Sequence, residues 1–192
     1  MSNDNIDRNY DWIQTYSGHR FYPLAPDYQD IEIIDIAAAL SKLCRYGGHC
    51  LRFYSVAEHC VLMARKAPAH LRLAMLLHDA SEGLGLVDIP RPVKHAMPEY
   101  LAIERRLTAA VAHRFGLPNP LPPEVHQYDE RIIVDERAQN MRDTDHYWHH
   151  APPRVQPLGV RLQFWTPQQA KIEFLSDCAA AIAGELIYEA AA

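Results

Sequence analysis

Residues 71–96, "LRLAMLLHDASEGLGLVDIPRPVKHA", decide the fold prediction. The apolar run from Leu71 to Leu77 has the composition of a helix that is buried on most sides. It ends on His78 and Asp79, and ionised carboxylates are rarely buried without a partner. Glycines and prolines then interrupt the pattern, so a rigid loop is expected after the helix. The stretch therefore predicts a core helix that delivers two polar side chains to a site inside the protein.

Helical patterns recur along the rest of the chain. A helical segment is expected to begin with Asp35 as its N-cap and to stop at Gly47 and Gly48. Ser55, followed three residues later by Glu58, forms a capping-box pattern that starts another helix. More helices are expected after the central stretch, at residues 97–116 with Gly116 as a stop, at residues 123–143, and at residues 166–192, where Thr166 and Pro167 open the helix.

Five or six helices without alternating strand–helix units predict an all-α protein. Residues 10–30 mix aromatic and turn-forming residues, so we expect a short hairpin or an extended arm in front of the helical bundle. The chain has 192 residues and contains no repeat or linker. We therefore expect a single domain over residues 1–192.

The composition excludes some classes of partner. The net charge is −5 and no basic stripe appears, which argues against a protein that binds duplex nucleic acid. A single nucleotide stays possible, because one or two cations can hold it. No apolar run approaches the roughly 18 residues that a membrane span needs.

The N-terminal residues and the cysteines indicate a cytoplasmic protein. Residues 1–16 are acidic and lack an apolar core, so they do not resemble a signal peptide. The four cysteines are scattered and form no C-x-x-C pair, which is typical of reduced, buried thiols.

Four side chains are candidates for metal ligands. His59, His78, Asp79 and Asp135 lie on expected helices among core-type neighbours. Two imidazoles and two carboxylates leave coordination positions open and suit Mn²⁺, Co²⁺, Fe²⁺ or Ni²⁺ better than a closed structural zinc site. The residues alone also allow a second interpretation, in which the histidines are hydrogen-bonded core residues and Asp135 is exposed.

Three stretches together resemble the HD-domain phosphohydrolase superfamily: "SVAEHC" (55–60), "LLHDASEGLGLVDIPRPVK" (76–94) and "IIVDERA" (132–138). The resemblance covers residues 33–145 and is closest to the branch of bacterial 5'-deoxynucleotidases and phage deoxynucleoside triphosphohydrolases. It implies one divalent metal ion (Mn, Co, Fe, Ni or Zn, with Mg as a further option). The implied ligands are His59, His78, Asp79 and Asp135.

The resemblance also implies catalytic and substrate-binding roles. Arg45, within "LCRYGGHC" (43–50), would orient the phosphate. Glu82, which follows the His-Asp pair, would hold or deprotonate the attacking water. The loop after the His-Asp pair would contact sugar and phosphate. The implied substrate-binding residues are Arg45, Tyr46, Asp88, Ile89, Pro90, Arg91 and Lys94.

Each of these roles has a simpler alternative. Arg45 could complement a helix C-terminus, and Glu82 could be a solvated residue at a helix end. Asp88 and Lys94 could pair with each other across the loop. Tyr46 could be only a lid over the core, since the branch usually has a tryptophan at this position.

The resemblance predicts an enzyme that hydrolyses deoxynucleotide phosphate esters. A monophosphate would give a nucleoside and phosphate, whereas a triphosphate such as dATP would give a nucleoside and triphosphate. The alternative from another class is a catalytically silent nucleotide sensor or regulatory protein. A cyclic-nucleotide phosphodiesterase is disfavoured, because the extra histidines for a second metal cannot be placed. Similarity to the branch also implies a homo-oligomer, a dimer or larger, and assigns no role to His146, His149 and His150.

Overall fold

The structure is a computed structural model that describes residues 11–146 and 155–184. These residues form a mostly helical fold with one two-stranded hairpin, which confirms the all-α prediction. His149 and His150 lie outside the described residues. The strands are β1 (Ile13–Gln14) and β2 (Arg20–Phe21), and the α-helices are α1 (Ile33–Leu40), α2 (Val56–Lys66), α3 (Arg72–Leu77), α4 (Arg91–Lys94), α5 (Pro98–Phe115), α6 (Pro123–Asn140) and α7 (Pro167–Ile182).

The N-terminal hairpin is tied to the first helix. Strand β1 pairs antiparallel with β2, and the Phe21 side chain is fully buried. The carboxylate of Asp35 accepts hydrogen bonds from the backbone N–H of Ser17 at 2.7 Å and from its hydroxyl at 2.8 Å. The prediction that Asp35 is an N-cap is therefore wrong: Glu32 occupies that position, and Asp35 lies inside α1 because its carboxylate binds the hairpin.

The core forms where α1, α2, α3 and α7 pack on one another. Each helix contributes side chains that are removed from solvent, among them Leu40, Met63, Leu76 and Phe174. Burying an aliphatic or aromatic side chain of this size stabilises the fold by roughly 1.5–3 kcal/mol. The helices that carry His59 and His78 are therefore rigidly supported. No helix in residues 11–146 or 155–184 is long and apolar enough to cross a membrane.

Local capping signals set several helix ends. Helix α2 begins as predicted, because the Ser55 hydroxyl accepts a hydrogen bond from the Glu58 backbone N–H at 3.1 Å. Thr166 caps α7 by accepting from the Gln169 N–H, and Gly116 ends α5 at a φ of 69°. That left-handed conformation costs glycine little, since it has no Cβ.

Residues 155–165, which we call the strap, run across the bundle without regular secondary structure. The fully buried Glu58 on α2 accepts three hydrogen bonds from strap backbone N–H groups, at 2.7, 2.9 and 2.8 Å. From α6, side chains bind strap backbone groups along its length; they are Arg131, Asp135 and Gln139. Side chains from two helices thus satisfy strap backbone groups that a strand partner would otherwise bind.

The segment between α3 and α5 is the Gly- and Pro-interrupted loop that the sequence predicts. Its only α-helix is the single turn α4, which follows Pro90 and contains Arg91 and Lys94. Pro90 has a φ of −53°, which its ring imposes. The loop therefore presents its charged side chains from a stiff backbone.

Candidate active site

Two histidines face each other where α2 meets the end of α3. His59 lies on α2 and is fully buried, and His78 directly follows α3. Their Nε2 atoms are 3.4 Å apart. Each Nδ1 lies 2.7 Å from an acceptor, which is Glu136 Oε1 for His59 and the Met75 carbonyl for His78. Because both acceptors require a proton on Nδ1, each Nε2 can offer its lone pair to a cation.

Two carboxylates complete the cluster. Asp79 Oδ2 lies 3.2 Å from His78 Nε2 and 3.8 Å from His59 Nε2. Asp129 Oδ1, from α6, lies 3.4 Å from His59 Nε2. Ligand atoms of His59, His78 and Asp129 all fall within 4.8 Å of one another. Three separate chain segments thus bring two imidazole nitrogens together and place each carboxylate within 4 Å of at least one of them.

The prediction that Asp135 supplies the fourth ligand is wrong. Its carboxylate accepts hydrogen bonds from the strap, at 2.7 Å from the Leu158 N–H and at 3.1 Å from the Gly159 N–H. Asp135 follows Asp129 by six residues, which turns its side chain about 120° away around an α-helix. The tripeptide Asp-Glu-Arg occurs twice, at 129–131 and 135–137, and the first copy faces the histidines.

The chemistry of these donors fits a divalent cation. Burial opposes ionisation of Asp79, yet His78 beside it holds the pKa of this carboxyl well below its usual range. Likewise, burial opposes charge on His78, but Asp79 raises its pKa well above the ordinary histidine value. Without a cation, a proton on His78 thus offsets the negative charge of the buried Asp79 carboxylate. A cation bound beside Asp79 would offset the same charge. Neutral imidazoles with carboxylates suit Mn²⁺, Co²⁺, Fe²⁺ or Ni²⁺.

A second group of possible ligands consists of Cys60, His78 and Asp79. Burial raises the pKa of the Cys60 thiol to about 11, and metals bind the thiolate. In addition, the His78 nitrogen nearest the sulfur, Nδ1 at 3.9 Å, already meets the Met75 carbonyl. The set of His59, His78, Asp79 and Asp129 is therefore the better cation site.

Arg45 lies against these carboxylates. Its Nη1 is 3.6 Å from Asp79 Oδ2, its Nη2 is 4.0 Å from Asp129 Oδ1, and its Nε is 3.3 Å from Glu136 Oε2. The residue is only 8% exposed. The alternative in which Arg45 complements a helix C-terminus is not what the structure contains, because the guanidinium contacts side-chain carboxylates.

Tyr46 turns its hydroxyl inward. This hydroxyl donates a short hydrogen bond to Glu136 Oε2, and the Tyr46 backbone N–H donates to Asp88 Oδ2 at 3.2 Å. Tyr46 has a φ of 60°, which non-glycine residues seldom adopt. Its side chain is thereby tied to α6, and its backbone to the loop that carries Asp88.

An open cleft with a volume of about 1220 Å³ borders the cluster. Asp129 lines it, although the sequence prediction omitted this residue. Ile89 is half-buried and is not among the residues that line the cleft. The predicted site residues that do line it are Arg45, Tyr46, Asp79, Glu82, Asp88, Pro90, Arg91 and Lys94.

The cleft cations pair with carboxylates other than Asp88. Arg91 Nη2 lies 2.7 Å from Asp129 Oδ2, and Lys94 Nζ lies 2.7 Å from Glu104 Oε1. Asp88 instead accepts from the Tyr46 N–H. The alternative of an Asp88–Lys94 pair across the loop is therefore not found among the described residues.

Glu82 is the buried acid of the cleft. It is 6% exposed, and its Oε2 has no hydrogen-bond partner among the residues that the structure describes. Burial, followed by the charges of Asp79 and Asp88, raises the pKa of Glu82 to about 9. The alternative of a solvated residue at a helix end is therefore wrong.

Glu136, like Asp129, is a site residue that sequence reasoning missed. It is fully buried and meets His59, Tyr46 and Arg45. It follows Asp129 by seven residues, or about two helical turns, so both lie on one face of α6. If Asp129 had been chosen as the ligand instead of Asp135, the seven-residue spacing would have identified Glu136 as its neighbour on the same face.

The chain is similar in sequence to two bacterial proteins. No family model matches it. The chain is 36% identical over 137 residues to the uncharacterized protein YfdR of Escherichia coli K12, covering 71% of this chain and 76% of YfdR. It is 44% identical over 124 residues to the uncharacterized protein RCAP_rcc00048 of Rhodobacter capsulatus, covering 59% of this chain and 63% of that relative.

Proposed function

We propose that this chain, which belongs to the same protein family as Escherichia coli YfdR, is a metal-dependent phosphohydrolase that acts on deoxynucleotides. The observation that carries the proposal is the convergence of His59 and His78 with Asp79 and Asp129 beside an open cleft. The resemblance to HD-domain phosphohydrolases supports the reaction class. The cluster differs from the expectation in one ligand, since Asp129 takes the place of Asp135.

The four ligands divide the work of holding a cation. His59 and His78 each keep a proton on Nδ1 and offer Nε2. Asp79 and Asp129 supply the negative charge that holds a hard cation in a buried site. A divalent ion bound there lowers the pKa of a coordinated water and offsets charge on a phosphoryl oxygen.

Arg45 is the phosphate-binding residue of the proposal. Its Nε lies 3.3 Å from Glu136 Oε2, and its two Nη groups lie 3.6 Å from Asp79 Oδ2 and 4.0 Å from Asp129 Oδ1. A guanidinium matches phosphate oxygens better than an ammonium does, because its N–H groups form a planar fork. A phosphate near the ligand carboxylates would therefore meet an oriented, permanently charged donor.

Arg91 and Lys94 add positive charge to the wall of the cleft. Both form ion pairs, with Asp129 and Glu104 respectively, so their positions are set before a nucleotide arrives. The Arg91 guanidinium lines the cleft beside Asp129 and would meet an anionic substrate there. Asp88, fixed by the Tyr46 N–H, is placed to accept a hydrogen bond from a sugar hydroxyl.

Glu82 accepts the proton of the attacking water in this proposal. Its Oε2 is buried without a partner among the described residues, beside the cleft, which is where an acceptor for a substrate or water proton is required. Positive charge at the ligand cluster would oppose the influence of Asp79 and favour the ionised carboxylate that a base needs.

The proposal includes two outcomes for the same site. A monophosphate yields a nucleoside and phosphate, and a triphosphate such as dATP yields a nucleoside and triphosphate. A cytoplasmic location and assembly into a dimer or larger homo-oligomer are also part of the proposal.

The test is a panel of deoxy- and ribonucleotides at the mono-, di- and triphosphate level, supplied with Mn²⁺ or Co²⁺. Chromatography identifies the nucleoside, and a phosphate assay with and without pyrophosphatase separates the two outcomes. We expect turnover by the parent and none by Asp79→Ala at retained folding. Equal turnover by that variant, or after chelation, would contradict the proposal. Nucleotide binding without any phosphate release would instead favour the sensor hypothesis.

A further inference from the structure

We infer that Glu136 is a positioning residue that couples cation binding at His59 to phosphate binding at Arg45. The inference rests on the proposed function, because it gives both residues the roles described above. Glu136 is not among the residues that line the cleft. It therefore acts through the side chains that it holds rather than by touching a substrate.

One carboxylate receives donors from two different parts of the chain. Oε1 accepts the Nδ1 proton of His59 from α2 at 2.7 Å. Oε2 accepts the Tyr46 hydroxyl and lies 3.3 Å from Arg45 Nε, both in the turn at residues 45–48. Glu136 itself is on α6 and fully buried. Each carboxylate oxygen thus serves one half of the site.

The contact of Oε1 sets the tautomer of His59. A carboxylate can only accept, so Nδ1 must carry the proton and Nε2 must keep its lone pair. That Nε2 is the atom that faces His78 Nε2 at 3.4 Å and Asp129 Oδ1 at 3.4 Å. Without the carboxylate, the opposite tautomer would place a proton where the cation binds.

The contacts of Oε2 hold the turn that carries Arg45. Tyr46 keeps its φ of 60°, a conformation that persists only where surrounding contacts enforce it. The hydroxyl bond to Glu136 anchors its side chain, while Asp88 holds its backbone N–H. Arg45 is the residue before it, so the direction of the guanidinium depends on the same anchor.

Two variants separate the two halves. Glu136→Gln keeps the size and one acceptor oxygen, but its NH₂ group can only donate, so it opposes either the Nδ1 proton of His59 or the Nε–H of Arg45. Tyr46→Phe removes one donor from Oε2 and leaves the His59 contact in place. Glu124→Gln is the matched control, because Glu124 is an exposed residue in the first turn of the same helix.

The experiment measures Mn²⁺ affinity by calorimetry, inorganic phosphate affinity of the Mn²⁺-loaded protein, and the His59 tautomer by ¹⁵N NMR of the metal-free protein. We expect Glu136→Gln to weaken Mn²⁺ binding about 10- to 100-fold, as for other carboxylates that orient a ligating histidine, and to shift the His59 tautomer. Tyr46→Phe should retain the parent's Mn²⁺ affinity and weaken phosphate binding. Glu124→Gln should change neither.

Several results would overturn the inference. The first is a Glu136→Gln variant whose Mn²⁺ affinity and His59 tautomer both equal those of the parent. The second is a Glu136→Gln variant that loses Mn²⁺ affinity and melts at a lower temperature while its His59 tautomer is unchanged, because that result indicates a purely structural role. If Glu136→Gln does not fold, parent-like phosphate affinity in Tyr46→Phe overturns the coupling. Asp79→Ala distinguishes the two proposals. If this variant binds Mn²⁺ as the parent does, the cation site and the proposed function are both wrong. If Asp79→Ala loses Mn²⁺ binding while Glu136→Gln retains it, only the present inference is wrong.

Discussion

Two faces of helix α6 carry similar carboxylates with different tasks. One face presents Asp129 and Glu136 to the histidines and Arg45, which are charged or proton-sharing partners. The other presents Asp135 to backbone N–H groups of the strap. Asp135 and Glu136 are neighbours in sequence, yet about 100° of helical rotation sends them to separate environments. The partner, rather than the carboxylate itself, therefore determines whether such a residue supports chemistry or folding.

The two faces should respond differently to mutation. On the histidine-facing side, Asp129 pairs with Arg91 at 2.7 Å and lies 3.4 Å from His59 Nε2, so removing it breaks an ion pair and takes a ligand from the proposed cation site. On the strap-facing side, removing the Asp135 carboxylate leaves the N–H of the buried residue Leu158 without its acceptor, which costs stability. Four variants or treatments test this contrast, and the expected effect decreases from Asp129→Ala to Gln139→Ala.

Asp129→Ala should abolish metal-dependent turnover while the protein stays folded. Loss of a ligand removes several kcal/mol of transition-state stabilisation, so kcat/KM with Mn²⁺ should fall about a thousandfold or more. Steady-state kinetics on the preferred deoxynucleotide measure the effect, with Asp135→Asn as the matched control. Turnover by Asp129→Ala at the level of the control would show that the two faces are not distinct.

Metal removal from the parent should abolish turnover, as Asp129→Ala does, and should leave the strap intact. Saturating Mn²⁺ at about 100 times its Kd should stabilise the folded parent by about 2.7 kcal/mol, which is visible as a rise in melting temperature that a chelator reverses. Asp135→Asn should show the same rise from a lower starting temperature, and Asp129→Ala should show none. A metal-induced rise in Asp129→Ala would mean that the cation binds elsewhere.

Asp135→Ala should destabilise the fold without weakening Mn²⁺ binding. The N–H groups of Leu158 and Gly159 lose their acceptor, a loss that costs about 1–3 kcal/mol for a buried group. Urea unfolding gives the free-energy change, and calorimetry with Mn²⁺ gives the affinity. If affinity falls tenfold or more at retained folding, Asp135 contributes to the cation site after all.

Gln139→Ala should produce the smallest change. Its side chain accepts from the Leu162 N–H at 3.0 Å and donates to the Val160 carbonyl at 2.9 Å, and the residue is exposed. A loss of about 1 kcal/mol in unfolding free energy is expected, with kcat/KM unchanged. A larger loss than that of Asp135→Ala would indicate that the far end of the strap dominates its attachment.

Local signals in the sequence predict much of the helical framework. The Ser55 and Thr166 caps and the Gly116 stop depend on neighbouring residues only, and all three occur as expected. The apolar run before His78 identifies a core helix. The composition of residues 10–30 predicts a hairpin or an extended arm, and the structure contains the hairpin. Short-range patterns succeed in such cases because the partner atoms lie within a few residues of each other.

The fourth member of the cluster could not be chosen in this way. Ile132 and Ile133 are buried between the two Asp-Glu-Arg copies, and both flanking faces of α6 carry carboxylates. A helix covered on two sides has no single polar stripe, so its pattern does not reveal which carboxylate meets which partner. The apolar run before Asp135 favours that residue as a buried ligand, whereas the polar neighbours of Asp129 give no such signal.

By itself, the amino-acid sequence determined an all-α chain, the Ser55 and Thr166 helix caps, and His59, His78, Asp79 and Arg45 as residues that would meet. Only the tertiary structure decided that Asp129 joins them, that Glu136 lies beneath them, and that Glu58 and Asp135 bind the strap. The physical reason is range. Capping and helical periodicity act between residues a turn apart, whereas the direction of a buried carboxylate depends on segments that the chain brings together from more than 20 positions away.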